Sequence, residues 1–234
     1  MTELDFERAR TPAAKQARQE AILAAAARLA AAASVREVTA SAVADEVGMH
    51  KSAMLRYFET REDIFLQLAA DGWGEWSAAV RADLDALAAG SGFGHQAWDR
   101  AGYEVAAVVA HSLVTRPLFC DLLAHTPLNL ERNVSMAKVK AFKTRALAAV
   151  AEVGAALCTV TPLRLDQARA VVATATSMAG AMWQMAAPGT ALRAFYEAEP
   201  ELAHARVDVE PGLTDILGAL ITGYAVGTTR PEPK

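Results

Sequence analysis

Only two cysteines, Cys120 and Cys158, occur in 234 residues. They fit neither a metal-ligand spacing nor a disulfide framework, so free buried thiols are expected. Glycine (14) and proline (9) are sparse and clustered, and no run alternates with the period of a strand. A sheet protein is therefore disfavoured. Long uninterrupted apolar runs are also missing. Segments 21–33 and 170–187 are too rich in alanine, or too interrupted by Arg28, Thr174, Thr176, Ser177 and Gln184, to span a membrane. The start, MTELDFERAR, lacks the basic-then-apolar order of a secretory signal, and a cytoplasmic protein without a membrane partner is expected. Catalytic patterns are lacking too. There is no Ser/His/Asp order, glycine-rich phosphate loop, HExxH or paired Glu-x-x-His. No enzyme activity, cofactor or metal is expected, and His111 and His125 lack ligand spacing.

A general excess of positive charge is absent as well. The net charge of −4 excludes a uniformly basic nucleic-acid binder but not a local basic surface. Arg8, Arg10, Lys15 and Arg18 occur with no acid among them, and Lys51, Arg56 and Arg61 stand against Glu59 alone. Beyond residue 70, acids outnumber bases. The positive charge lies near the N-terminus.

What the chain does contain is helix-forming sequence. Hydrophobic residues make up 53%, and alanine, the best helix former, dominates long stretches. Pro12 suits a first turn, and helix is expected from there to about Ala33. Thr39 is a natural N-cap for a short helix over 40–47, with Gly48 closing it in a left-handed position. A second short helix is expected over 51–58. Thr60 caps a third that runs to GSGFG at 90–94. Further helices are expected at about 95–115, 117–125, 129–159, 164–186, 190–198 and 212–226. Pro117, Pro127, Pro162, Pro188 and Pro211 mark the joints.

On a helical wheel, residues 51–58 divide into two arcs. Met54 and Phe58 share one, flanked by Ala53 and Tyr57, whereas Lys51, Ser52, Leu55 and Arg56 share the other. A short helix, a glycine turn and a second helix that buries one face form a helix-turn-helix sized for the DNA major groove. Lys51 and Arg56 can meet phosphates or guanine edges, and Ser52 a base or phosphate. Tyr57 can donate to a phosphate, and Arg61 can hold one at a helix start. The same pattern also fits an ordinary solvated helical hairpin, because such patterns are short.

The stretch VTASAVADEVGMHKSAMLRYFETREDIF (38–65) resembles the signature of the tetracycline-repressor (TetR) family of bacterial transcription regulators. The resemblance rests on Thr39, Val43-Ala44, Gly48-Met49, Lys51, Met54, Arg56-Tyr57-Phe58 and Thr60-Arg61-Glu62 followed by Ile64. It implies an all-α fold, with a helix-turn-helix domain (1–60) and an effector-binding and dimerisation bundle (61–227), while the residues TTRPEPK at 228–234 read as a disordered tail. It further implies a ligand-responsive repressor acting as a homodimer on a near-palindromic double-stranded operator. The DNA-contact set would be Thr39, Ser41, His50, Lys51, Ser52, Leu55, Arg56, Tyr57 and Arg61. His50 stands where the family usually has serine, and Leu55 where it frequently has tyrosine. Leu55 could press on a thymine methyl. Trp76, Trp98, Tyr103, His111, Phe119, Phe142, Met178 and Met182 are candidates to line a small-molecule effector pocket. Each is also an ordinary core side chain by type. Ala179, Gly180 and Trp183, with Leu217, Leu220, Gly223 and Tyr224, are candidates for a four-helix dimer interface. A helical enzyme and a protein-binding adaptor are the competing functions. MAKVKAFKTR (136–145) reads as a solvated basic face.

Overall fold

Alanine-rich apolar stripes can be buried only against other helices, and the chain does this throughout. The structure, a computed structural model, describes residues 12–90 and 98–228. It contains ten α-helices and no strand among them: α1 (Pro12–Ala32), α2 (Ala40–Glu46), α3 (Lys51–Met54), α4 (Arg61–Gly90), α5 (Trp98–Val114), α6 (Pro117–His125), α7 (Met136–Val160), α8 (Leu165–Ala186), α9 (Ala191–Ala198) and α10 (Val209–Thr228). Most of the 90–94 linker and residues 229–234 of the expected tail lie outside the described residues. No single helix among the described residues is long and apolar enough to cross a membrane.

Several boundaries differ from the sequence expectation. The expected 129–159 helix starts only at Met136, where Ser135 Oγ accepts from Lys138 N. A π-helical turn (Thr126–Leu130) and a 3₁₀ turn (Glu131–Asn133) precede it. Pro211 marks no joint. It lies in the first turn of α10, where a proline has no intrahelical hydrogen bond to lose. Cys120 is buried, and Cys158 is only half-buried. Burial, together with the charge of Asp121, pushes the Cys120 thiol up to about 12, so it is an inert core group.

In the bundle α4 lies along α7, α5 along α10, and α8 packs on α6, α7 and α10. Trp73, Trp76 and Phe119 meet edge-on or tilted, with centroids 5.6–6.1 Å apart. Trp76 is fully buried, and its Nε1 donates to Ser112 Oγ at 2.9 Å. The α6–α8 contact is backbone-close at Gly180, where an added Cβ would stand 2.7 Å from Ala124 N. Gly180→Ala must therefore push the two helices apart. A destabilisation of about 1–3 kcal/mol is expected, read as a fall in thermal midpoint.

Candidate nucleic-acid interface

The helix-turn-helix is assembled from the local signals. Thr39 Oγ1 accepts from Ala42 N at 3.1 Å and starts α2, which buries Val43 and Ala44. Gly48 has φ +64°, the left-handed conformation that ends a helix without Cβ strain, and Met49 N returns to Ala44 O at 2.8 Å. An ion pair between Arg28 and Glu46 (3.1 Å) ties α1 to α2.

The expected 51–58 helix is shortened to Lys51–Met54. His50 occupies the N-cap position with no side-chain capping bond. Past Met54 the chain tightens: Arg56 N donates to Ala53 O and Tyr57 N to Met54 O, the spacing of a 3₁₀ turn. The division into arcs survives this change. Met54 and Phe58 are buried, while His50, Lys51, Ser52, Leu55 and Arg56 are exposed and Tyr57 is half-buried. Thr39 and Ser41 are exposed beside them. Neither an ion pair nor a side-chain hydrogen bond engages Lys51, Ser52 or Arg56 among the described residues.

Arg61 departs from the expectation that it holds a phosphate. Its Nε donates to Val38 O, one terminal nitrogen donates to Val35 O, and the other meets Glu62 at 3.1 Å. Its guanidinium also covers the Phe65 ring at 4.6 Å. The side chain is therefore turned inward, onto two carbonyls of the 34–38 turn.

The same turn is held from the opposite side by a residue that the sequence reading missed. Asp121, on α6, accepts from Val35 N at 2.7 Å through Oδ2 and from Gln184 Nε2 at 2.7 Å through Oδ1. His125 Nε2 lies 3.3 Å from Oδ1, close enough for attraction but poorly aligned for a hydrogen bond. Burial pushes the Asp121 carboxyl upward. The His125, Val35 and Gln184 contacts outweigh it and hold the group below its ordinary value. The signal was available, because Asp121 is the one acid in the apolar run PLFCDLLAH, with a histidine four residues on.

A second junction lies at the start of α4. Thr60 Oγ1 accepts from Asp63 N, and Asp63 Oδ2 accepts from Glu59 N, a reciprocal cap. The Thr60 hydroxyl donates to Asn133 O at 3.0 Å, and Lys138 pairs with Asp63 at 3.1 Å. Ser135 N–H and Oγ both donate to Glu59 and hold its carboxyl below the ordinary range. The 136–145 basic face is thus more engaged than a solvated face, for Lys143 pairs with Glu131 and Arg145 with Asp71.

The expected effector residues are not gathered around one cavity. Trp76, Phe119, Phe142 and Met182 are buried core side chains. Met178 is half-buried, Tyr103 is 40% exposed, and His111 is exposed and pairs with Glu210 at 3.0 Å. The Trp98 side chain lies outside the described residues. Among the expected dimer residues, Ala179, Gly180 and Leu217 point into their own chain. Trp183, Leu220 and Tyr224 are half-buried, and Gly223 is exposed. Small side chains mark close contact between helices, but the sequence pattern could not say which helix they approach.

An exposed arc bearing Lys51 and Arg56, on a helix-turn-helix joined to a helical bundle, is the arrangement of a DNA-binding transcription regulator. Residues 22–68 match the family described as "Bacterial regulatory proteins, tetR family", and residues 70–228 match "Tetracyclin repressor-like, C-terminal domain". The chain belongs to the TetR family. Its fold is similar to that of the fatty acid degradation regulator FadR from Bacillus halodurans, with a TM-score of 0.52 at 11% identity, covering 87% of this chain and 94% of that one. It is similar also to the transcriptional regulator FadR from Bacillus subtilis, solved in complex with stearoyl-CoA, with a TM-score of 0.51 at 14% identity over 87% of this chain and 98% of that one. Comparison with curated protein sequences gives no match.

Proposed function

We propose that the protein is a ligand-responsive repressor that binds a near-palindromic operator as a homodimer. Residues 1–60 form the DNA-binding unit and 61–227 the effector-binding and dimerisation unit. The observation that carries this reading is the arc of His50, Lys51, Ser52, Leu55 and Arg56, which is exposed while Met54 and Phe58 anchor it from behind. Lys51 and Arg56 supply phosphate or guanine contacts, Leu55 presses a thymine methyl, and Thr39, Ser41 and Tyr57 meet the backbone. Two such arcs, about 34–36 Å apart, enter successive major grooves. The effector acts by its differential affinity for conformers with right and wrong spacing, with α4 as the lever. A regulator of the same fold solved with stearoyl-CoA supports ligand control as a use of this architecture.

Helices α8 and α10 pack side by side and expose small and apolar residues on their outer faces. On α8 these are Ala173, Ser177, Ala181 and Met185, and on α10 Ile216, Ala219, Gly223 and Val226. We assign the dimer seam to these stripes rather than to Ala179, Gly180 and Leu217. Ala181→Arg is expected to yield a monomer by light scattering with unchanged helical circular dichroism, and to weaken operator binding. A dimer that persists would remove this seam.

The whole reading is tested by fluorescence anisotropy against inverted repeats beside the protein's own gene. Binding that selects one repeat and weakens steeply with salt is expected. Binding that ignores sequence would sink it.

A further inference from the structure

Between the DNA-binding unit and the bundle lies a cleft of about 280 Å³, near the low end of ligand-site volumes. One wall is the end of α1 with the turn after it, and the other is the start of α6 with the end of α8. Pro117, Leu118, Pro188 and the half-buried indole of Trp183 make its apolar sides. Arg36 and Glu37, of opposite charge, stand in its lining, and both are exposed. The remaining charge in the lining is the nearly buried carboxylate of Asp121.

Three features separate this cleft from an ordinary packing gap. Among the described residues Asp121 accepts hydrogen bonds only from Val35 N and Gln184 Nε2, with the His125 ring nitrogen 3.3 Å away, whereas an ionised carboxylate offers about four acceptor positions. One more donor can therefore reach it. Ala187 in the cleft lining adopts φ +43°, a left-handed conformation without the glycine that usually relieves it. Such strain concentrates at ligand sites. The third feature is position. The Asp121 carboxylate also fastens Val35 N, four residues before the cap of α2. Anything that binds it pulls on the turn that orients the helix-turn-helix.

The geometry points to this cleft as a binding site for a small organic cation with an apolar body. The ammonium or amidinium head pairs with Asp121, and the ring or alkyl body lies against Trp183 and the prolines. The head draws on the same carboxylate that holds Val35 N–H, so occupancy loosens the DNA-binding unit from α6. An anion is disfavoured by Asp121, and a long chain by the volume. The regulatory half of this inference rests on the repressor reading, whereas the binding half does not.

The test uses 2-phenylethylammonium as probe, with 2-phenylethanol and 3-phenylpropionate as neutral and anionic counterparts. Tryptophan fluorescence of the full chain is expected to show a saturable change with the cation. The other two should bind at least tenfold more weakly. The signal should be lost in Trp183→Phe, and the affinity should fall at least tenfold in Asp121→Asn. Ala31→Leu, at an exposed position in the lining, fills the cleft without touching the clasp and should also abolish binding. In operator anisotropy the cation should weaken wild-type binding several-fold and leave Ala31→Leu unaffected. Absence of a saturable change, equal binding of 3-phenylpropionate, or binding that survives in Ala31→Leu would each overturn the site. Cation binding without any effect on operator affinity overturns the regulatory half. Failure to bind any operator with no probe present counts against the repressor reading instead.

Discussion

Lys51→Ala combined with Arg56→Ala is expected to weaken operator binding about 30-fold to 20,000-fold while leaving stability nearly unchanged. Both side chains are exposed and lack partners among the described residues, so removing them should move the folding free energy by less than about 0.5 kcal/mol. On DNA each contact of this type contributes about 1–3 kcal/mol, and tenfold in affinity corresponds to about 1.4 kcal/mol. The salt dependence separates the two roles. A residue on phosphate should lower the slope of log affinity against log salt by about 0.9 when removed, whereas a residue on a base edge should relax sequence preference at one position. Anisotropy titrations at several salt concentrations with permuted operators measure both. Unaltered affinity in the double variant would rule out α3 as the reading element. Arg61→Ala should behave in the opposite way. Its donors hold the carbonyls of Val35 and Val38, so the loss should appear as instability, with the salt slope of the remaining folded protein intact.

Asp121→Ala should be strongly destabilising although it lies away from the DNA surface. The carboxylate is 6% exposed and receives Val35 N and the Gln184 amide. Truncation strands the N–H of the fully buried Val35, and the exposed Gln184 amide loses its charged acceptor. A hydrogen bond to a charged group contributes about 1.5–3 kcal/mol, and an orphaned buried donor adds to the loss. A total of about 3 kcal/mol is expected, with the thermal midpoint lower by about 6–12 °C for a chain of this size. Asp121→Asn keeps an acceptor and should lose less. The pH dependence follows from the direction of the shift. The folded-state carboxyl titrates below its ordinary value of 3.8. Its stabilisation is therefore complete above that value and fades as the pH falls below it towards the folded-state value. The stability difference between wild type and Asp121→Asn, followed by denaturant midpoints, should shrink on acidification through this range. A difference that stays constant would show that the carboxylate is not the fastening group.

The DNA-facing half was legible because its determinants are local. Thr39 caps, Gly48 turns and the Met54/Phe58 spacing separates packing from contact within a few residues, and each needs only short-range geometry. The length of α3 was overestimated, since His50 supplies no cap and the chain tightens after Met54. In the bundle, composition identified helices but not their faces. Ala179 and Gly180 looked like interface residues, yet Ala179 is buried in its own chain and Gly180 lies where α6 approaches α8. His111, Tyr103 and Phe119 looked alike as candidates and were placed in three different environments.

The sequence by itself determined an all-helical chain, the position of the helix-turn-helix and the family to which it belongs. These follow from propensity, caps and a short motif that act within one or two turns. The tertiary structure alone decided that Arg61 and Asp121 grip one turn from two sides, which α8 and α10 faces remain uncovered, and where the clefts lie. Those features join residues as far apart as Val35 and Asp121. Their pairing is set by how amphipathic helices bury each other, and no local pattern encodes it.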